Sequence, residues 1–184
     1  MEISAKYKHS KFGNLMFNLC AKWTEFLVKH HWLYYILAIT WGIFLTIFGI
    51  IITIFLFILK CFNWKNIKFN KYYWVYLVKI GKYWGGLETG LMFVRDSTST
   101  ESVSEHEFGH SFQNCLFGPF QIIWSLTSVA RYWYRELKYE RKGKACPTNY
   151  DSYWLEDSAS QCGKFVVEYL RNKKYEKTNM SSNK

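Results

Sequence analysis

One uncharged stretch of 28 residues, Trp32 to Leu59, constrains this chain more than any other feature. A helix needs about 20 apolar residues to cross the hydrocarbon core of a bilayer, so the stretch is long enough for one tilted span. Two complete crossings would need roughly 40 residues, which excludes a hairpin. The stretch also begins too far along the chain for a signal peptide. The sequence therefore predicts one transmembrane helix over residues 32–60, with a buried helix of a soluble protein as the alternative.

Aromatic and basic residues flank this predicted span. Trp32, Tyr34 and Tyr35 at one end, and Phe62 and Trp64 at the other, are typical of anchors at the membrane–water interface. Five lysines lie in the twenty residues after the run and two in the twenty before it, which favours a cytoplasmic C-terminal part. The sequence thus predicts a single-pass membrane protein.

The remainder divides into segments of different character. Residues 1–31 are expected to lie at the membrane surface, with a short amphipathic helix from Phe17 to Val28. Residues 61–175 are predicted to form a small, mainly α domain of the α+β class, and residues 176–184 a disordered tail. The domain's short β element is expected before its helices. Residues 72–80 favour a strand or a second interfacial segment, and residues 87–95 a short strand interrupted by glycine.

The segment SVSEHEFGHSFQ carries the clearest chemical pattern, H-E-x-x-H, in His106, Glu107 and His110. On a helix, this spacing places both imidazoles on one face, one turn apart, where they can bind the same metal ion. Glu107 lies about 100° round the same turn and can take a proton from a water molecule beside the metal. The pattern is typical of zinc peptidases, and the alternative is an amphipathic helix with ordinary polar histidines.

Flanking residues predict where this helix begins and ends. The run from Ser97 to Thr100 offers N-cap residues, and Ser102 with Glu105 fits a capping box. Gly118–Pro119 should end the helix, because proline cannot continue it and glycine suits its C-terminal cap. Gly109 lowers helix stability by about 1 kcal/mol relative to alanine. Another backbone, a substrate or a packed small residue is therefore expected close to it.

Two further helices are predicted after the motif. Residues 120–133, FQIIWSLTSVARYW, are too short to span a bilayer, and they favour a membrane-facing or core helix that continues into the charged segment after it. Residues 147–149 form a loop. Asp151 or Ser152 is then expected to cap a last helix from about Tyr153 to Asn172.

Two histidines do not complete a catalytic zinc site, which takes three protein ligands and leaves a fourth position open. No histidine follows His110, and His9, His30 and His31 precede the apolar run, so we expect an acidic third ligand. Glu156 is favoured because it lies on the first turn of the last helix, where small residues would permit close approach to the first helix: Ala159, Ser160 and Gly163. The alternative is that Glu156 only stabilises the N-terminal end of its own helix. The other acidic candidates are Glu136, Glu140, Asp151, Asp157, Glu168 and Glu176.

HEFGHSFQ, followed by FGP and later by a Tyr-rich segment with E-x-x-A, resembles small bacterial membrane proteins that carry HEYGH. More broadly, residues 86–165 are similar to the gluzincin class of zinc metallopeptidases, whose third ligand is a glutamate on a later helix. The resemblance implies Glu107 as general base and, as zinc ligands, His106, His110 and Glu156. Gluzincin helices often carry an aspartate four residues after that glutamate, which supports a ligating histidine, and this chain has Ser160 there.

Net charge and cysteine content limit the classes of partner and the cellular compartment that the chain is expected to have. The net charge is +10, and a nucleic-acid-binding surface would gather such charge on one face with exposed aromatics. Here the basic residues flank the apolar run, which suits anionic lipid headgroups better. The expected partners are membrane lipid and a peptide or protein substrate, without nucleic acid. The five cysteines form no C-x-x-C pair, so we expect reduced thiols in a cytosol-facing protein.

These patterns favour a membrane-anchored zinc hydrolase, most readily a peptidase. Glu107 would accept the proton of a zinc-activated water, and Tyr150 or Tyr153 would donate to the oxyanion. A second hypothesis is a non-catalytic membrane protein in which zinc pins two helices together, or a degenerate peptidase site serves as a binding module. A third is a membrane-perturbing protein in which the H-E-x-x-H pattern is accidental. The first hypothesis requires Glu107 for turnover, whereas the second requires His106 but not Glu107.

Overall fold

A computed structural model describes residues 2–62 and 66–182, with side chains described through Glu176. Over those residues the chain is mainly helical, with six α-helices and one small four-stranded sheet. This confirms the mainly α fold with a short β element. Trp64 and Lys65, which entered the predictions of interfacial anchors and of orientation, lie outside the described residues.

The first three helices are α1, Lys11–Leu27, α2, His31–Ile39, and α3, Ile43–Cys61. The prediction of one continuous helix over residues 32–60 is wrong, because the chain breaks between α2 and α3. The Gly42 N–H donates to the Leu37 carbonyl at 2.7 Å, and the Trp41 indole donates to the Leu116 carbonyl at 3.2 Å. The break is therefore held by a contact with the end of a distant helix, which the local sequence does not reveal.

α3 is the one helix in the described part of the chain that is long and apolar enough to cross a membrane, judged by length and composition. Its 19 residues give a length of about 28 Å, close to the thickness of a bilayer core. Only Thr46, Gly49 and Leu56 are buried along it. Gly49 lies against Thr89, and Leu56 packs in a small cluster that includes Val78 of the sheet. α3 thus runs alongside the sheet and exposes the rest of its apolar surface.

The sheet has the strand order β1-β2-β4-β3, with β1 at Lys68–Tyr72, β2 at Val75–Lys79, β3 at Gly86–Glu88 and β4 at Met92–Arg95. β1 and β2 pair antiparallel, β2 and β4 parallel, and β3 and β4 antiparallel, so β3 is an edge strand. The single strand predicted over residues 72–80 is divided, and the interruption by glycine predicted within residues 87–95 is confirmed. Tyr73 and Trp74 turn the chain in the first, and Gly90, with φ 82°, turns it in the second.

The remaining helices are α4, Glu101–Phe117, α5, Gln121–Lys138, and α6, Trp154–Ser182, with short 3-10 turns at Gly118–Phe120, Glu140–Lys142 and Tyr150–Ser152. α6 continues through residues 176–182 of the segment predicted to be a disordered tail, and residues 183–184 lie outside the described part. α4 packs chiefly against α6. These two helices carry the predicted metal ligands.

Glycine permits the close crossing of α4 and α6. A Cβ atom on Gly109 would lie 1.9 Å from the Ala159 carbonyl oxygen, and one on Gly163 would lie 1.7 Å from the Glu105 carbonyl oxygen. Both distances are far shorter than any van der Waals contact. The neighbour expected at Gly109 is therefore the backbone of α6, and the predicted approach through small residues is confirmed.

The predicted helix caps are correct only in part. Thr100 is the N-cap of α4, but Ser102 lies inside the helix, so the predicted capping box does not form. Gly118–Pro119 ends α4 as predicted, with Gly118 at φ 55°. Residues 151–152 lie in a 3-10 turn and do not cap α6, which begins at Trp154.

The main hydrophobic core joins α1, α4 and α6. It includes Phe17, Phe108, Phe112 and Val166, all nearly or fully buried. The amphipathic helix predicted from Phe17 to Val28 is present, begins earlier at Lys11, and packs its buried face into this core. The segments predicted as residues 1–31 and 61–175 thus share one core, which fixes the position of the helices that form the site.

Candidate metal centre

Three side chains from α4 and α6 converge on one point. The Nε2 atoms of His106 and His110 lie 3.1 Å apart, and Glu156 Oε2 lies 3.1 Å from the first and 3.5 Å from the second. These donor atoms are close enough together to hold one metal ion. The structure therefore brings together all three side chains predicted as ligands.

The other ring nitrogen of each histidine is already bonded within the protein. His106 Nδ1 lies 2.8 Å from Ser160 Oγ, and His110 Nδ1 lies 2.7 Å from Gln113 Oε1. Gln113 is itself fixed, because its Nε2 donates to the Leu155 carbonyl at 2.9 Å. Both imidazoles are thereby oriented with Nε2 toward Glu156. A hydroxyl, Ser160, occupies the place where gluzincins carry an aspartate, so the chain supports this histidine with a neutral group.

The two oxygens of Glu156 have different partners. Oε2 faces the histidines, whereas Oε1 accepts a hydrogen bond from the hydroxyl of Ser128 on α5. Ser128 Oγ also lies 2.7 Å from the hydroxyl of Tyr150, in the turn before α6. Sequence reasoning missed Ser128. The signal that could have found it is the polar stripe of Gln121, Ser125 and Ser128 within an otherwise apolar segment.

Charge couples Glu156 to the histidines. Burial acts to raise the pKa of Glu156, but the neighbouring His110 and His106 outweigh it and hold that pKa well below its ordinary value. Burial likewise acts to lower the pKa of His110, and Glu156 overcomes this and raises the pKa to about 9. Without a metal, the site therefore holds an ionised carboxylate beside a protonated imidazole at neutral pH. A metal ion bound there would replace that proton.

Glu107 lies between α4 and the edge strand β3. Its side chain is buried, and a Cβ atom on Gly86 would lie 2.4 Å from its Oε1 atom, so a larger residue at position 86 would displace the Glu107 side chain. The Glu88 backbone N–H acts to lower the pKa of this carboxyl group. Burial raises the pKa of Glu107, although the two histidines oppose the effect. Glu107 lines the same cavity as the three candidate ligands.

A second buried carboxyl group, Glu88, reaches the cavity from β3. Its Oε1 accepts a hydrogen bond from the Gly90 N–H, which holds the tight turn between β3 and β4. Burial raises the pKa of Glu88 to about 8. Sequence reasoning did not consider Glu88, because the acidic candidates were sought only in the chain after His110.

Asp96 ties β3 to the beginning of α4. Its carboxylate accepts hydrogen bonds from the backbone N–H groups of Thr98 and Ser99, both at 2.7 Å. It also accepts from the Gly85 N–H at 3.1 Å. The strand that covers Glu107 and the helix that carries Glu107 are therefore held by one side chain.

A cavity of about 790 Å³ opens onto the three candidate ligands. Its walls are β3, the first turns of α4, the inward side of α5 and the beginning of α6. Tyr150 lines this cavity. The hydroxyl of Tyr153 instead lies 2.9 Å from Thr127 Oγ1. Of the two tyrosines predicted from the sequence as oxyanion donors, Tyr150 is therefore the one that lines the cavity.

The N-terminal segment completes the wall. Lys6 lines the cavity, and the backbone N–H groups of Lys6 and Tyr7 each donate to the Asp157 carboxylate at 3.1 Å. His9 Nε2 lies 2.9 Å from the same carboxylate. Asp157, an alternative acidic ligand in the sequence, therefore holds the N-terminal segment and points away from the histidine pair.

No protein-family model matches this chain, and no curated protein or solved structure shows significant similarity to it. The resemblance to gluzincins is therefore a prediction from the sequence motif alone.

Proposed function

We propose that this protein is a membrane-associated zinc hydrolase that cleaves peptide bonds. The observation that supports this most is the triangle of donor atoms in His106, His110 and Glu156, with edges of 3.1, 3.1 and 3.5 Å. Tetrahedral zinc holds nitrogen and oxygen ligands at about 2.0–2.1 Å, which separates two ligand atoms by about 3.4 Å. The triangle is thus close to the size that zinc requires, and two histidines with one glutamate are a common ligand set of catalytic zinc.

Features around the triangle favour a catalytic site over a structural one. Structural zinc sites are usually closed by four protein ligands, whereas the cluster found among the described residues contains three. The cavity gives access to the centre, and the His106 side chain is 20% exposed. A site built only to pin α4 against α6 would need neither an open position nor a cavity.

Each neighbouring residue has a place in the proposed reaction. Zinc would supply a Lewis acid for the scissile carbonyl and for a water molecule. Glu107 would take the proton of the attacking water and pass it to the leaving amine, and its raised pKa makes it a stronger base than an ordinary carboxylate. The Tyr150 hydroxyl, which burial keeps protonated by raising its pKa, would exchange its hydrogen bond to Ser128 for one to the developing oxyanion.

The edge strand β3 supports a polypeptide as substrate. β3 pairs with β4 on one side only, and Gly86, Leu87 and Glu88 line the cavity. An extended peptide could add to this free edge through main-chain hydrogen bonds, which would place a peptide bond beside Glu107. The apolar surface of α3 supports membrane association, and the excess of lysine after α3 favours a cytoplasmic C-terminal part.

The test compares Glu107→Gln with the parent protein in detergent or vesicles. We expect both to bind one zinc ion per chain by elemental analysis. The variant should hydrolyse a quenched fluorescent peptide library at least about 10²-fold more slowly, because it lacks the general base. Glu101→Gln, at the exposed start of the same helix, should retain activity, and His110→Ala should lose the metal.

Turnover that survives Glu107→Gln would contradict the mechanism. Bound zinc without hydrolysis in the parent protein would instead support a structural zinc site, and iron in place of zinc would remove the basis of the proposal.

A further inference from the structure

α5 is amphipathic in the opposite sense to a helix on a soluble protein. Its polar side chains face inward and are buried or half-buried: Gln121, Ser125, Ser128, Arg131 and Arg135. Its outward side carries exposed apolar and aromatic groups: Ile122, Ile123, Leu126, Ala130, Trp133, Tyr134 and Leu137. A helix at a water-facing surface normally places its apolar stripe against the core.

Inward hydrogen bonds fix this orientation. Ser128 donates to Glu156, the candidate metal ligand. Arg131 Nη2 donates to the Asn149 carbonyl at 3.1 Å, and Arg135 donates to the Thr148 carbonyl. Because these bonds tie the polar side of α5 to the loop before α6 and to the site, the helix cannot rotate to bury its apolar side without breaking them.

The outward side offers few polar groups that a protein could recognise. None of the seven residues named above for this side is charged, and Leu126 is 62% exposed. The Thr127 hydroxyl lies 2.9 Å from the Tyr153 hydroxyl, and the Tyr134 hydroxyl accepts from Lys138, so both are already bonded within the chain. Protein interfaces carry about one hydrogen bond per 100–200 Å² in addition to apolar contact.

Cations and aromatic rings gather where this apolar side ends. Four basic residues lie there, compared with two acidic ones: Lys138, Arg141, Lys142 and Lys144, and Glu136 and Glu140. Lys138 Nζ lies 4.8 Å from the centre of the Tyr134 ring, and the Arg141 guanidinium lies 5.9 Å from that of Trp133. Aromatic rings and basic groups at one end of an apolar surface are typical of the boundary between hydrocarbon and anionic headgroups.

The apolar side of α5 also resembles the exposed surface of α3. It extends for about 22 Å between Ile122 and Leu137, comparable with the length of α3. Phe48, Ile51 and Phe55 on α3 are exposed in the same way. Two helices of one core therefore present long, uncharged surfaces with no protein partner among the described residues.

We propose that the outward side of α5 lies in the lipid of an anionic bilayer, with its C-terminal cations at the headgroups. α5 would then form a wall between lipid on its apolar side and the polar cavity on the other. This inference concerns where α5 lies and does not depend on which metal is bound or on hydrolysis.

The test measures the surroundings of single nitroxide labels on the full chain in vesicles of phosphatidylcholine and phosphatidylglycerol. Cys61→Ser and Cys146→Ser remove the two accessible thiols, and the other three cysteines are buried. Cysteines are then placed at Leu126 and Ala130 on α5 and, as a water-exposed control, at Lys164 on α6. We expect the ratio of oxygen to nickel-complex collisions to be several-fold higher at positions 126 and 130 than at position 164.

Other results would overturn the inference. Ratios at positions 126 and 130 equal to the control would place α5 in water, and spin–spin broadening between labels would show that a second copy of the chain covers it. A separate label at Ile51 on α3 reports membrane anchoring independently. Metal content, measured on the same samples, distinguishes failure of this inference from failure of the proposed function.

Discussion

Glu88 is a carboxyl group that the fold keeps neutral over most of the physiological range. Burial raises its pKa from 4.5 to about 8. Below pH 4.5 the carboxyl group of Glu88 is protonated in both the folded and the unfolded chain, so its ionisation does not affect stability. As pH rises through 4.5 and on to about 8, the unfolded chain loses the proton first, so the folded state becomes progressively less favoured.

Glu88→Gln should therefore stabilise the protein at alkaline pH. The amide is neutral at every pH and can still accept from the Gly90 N–H, so the variant avoids the cost of an ionised buried carboxylate. We expect the two free energies of unfolding to agree near about pH 4, and the variant to be more stable on the order of 3 kcal/mol near about pH 9. Denaturant unfolding in detergent at both pH values measures this difference.

The control is Glu101→Gln, because residue 101 is exposed and its neutralisation should leave the pH profile unchanged. Parallel profiles for Glu88→Gln and the parent would show that Glu88 is ionised within the fold at neutral pH, contrary to the expectation.

Residues of the site could be predicted from the sequence where they lie on one helix, because the helix fixes their relative positions. His106, Glu107 and His110 are such residues, because helical spacing alone determines which side chains share a face. Glu156 could be favoured for its place at the beginning of a helix with small residues. Ser128 reaches the site only through the tertiary position of α5, which no local pattern encodes.

The crossing of α4 and α6 is the contact between elements that assembles the candidate metal centre. Gly163→Ala would place a methyl group 1.7 Å from the Glu105 carbonyl oxygen, and that backbone atom cannot yield without separating the helices. We expect the free energy of unfolding to fall by about 1–3 kcal/mol. Zinc affinity should also fall at least about tenfold, because Glu156 moves away from the two histidines.

Thermal unfolding and competitive zinc titration measure the two effects of Gly163→Ala. Lys164→Ala, one residue further and exposed, is the matched control on the same helix and should change neither quantity. A folded Gly163→Ala protein with unchanged zinc affinity would mean that the crossing does not set the distance between the ligands.

The elements themselves were predictable to different degrees. α4 has a clear end at Gly118–Pro119, since both residues act locally on the backbone. The break between α2 and α3 could not be seen, because every residue around it is apolar or uncharged, and the bond from Trp41 to Leu116 spans 75 residues. The interruption at Gly90 was predicted because glycine marks it locally, whereas the turn at Tyr73–Trp74 was not, because it falls within an aromatic and apolar run.

The whole molecule combines an apolar helix and a polar cavity in one packed body. α3 contacts the loop around Gly90 near its beginning, through Thr46, and contacts β1 near its end, where the Phe57 and Phe69 rings lie 6.2 Å apart. The site is thus not carried on a separate domain beyond the predicted span. Whatever surrounds α3 also lies beside the sheet that covers Glu107.

The affinity of the protein for zinc should depend on pH, because zinc binding is coupled to loss of the proton from His110. In the metal-free chain Glu156 is already ionised, and His110 keeps its proton up to a pKa of about 9. Zinc must displace that proton, so its apparent dissociation constant should fall about tenfold per pH unit between about pH 7 and about pH 8.5. The His110–Glu156 pair itself stabilises the metal-free fold below the ordinary histidine pKa of 6.5, and this contribution is lost as pH rises through about 9. At a fixed free zinc concentration, zinc should therefore stabilise the protein more as pH rises, and the gain reaches about 2.7 kcal/mol where that concentration is about 100 times the dissociation constant.

Indicator-based zinc titrations and thermal unfolding across this pH range measure both quantities. Glu156→Gln removes the charge that holds the proton on His110, so its weaker binding should depend less steeply on pH. An affinity for zinc that is constant from about pH 7 to about pH 8.5 would show that His110 is already neutral in the metal-free chain. The centre would then be ready for metal without proton release, and the ion pair described above would not exist in solution.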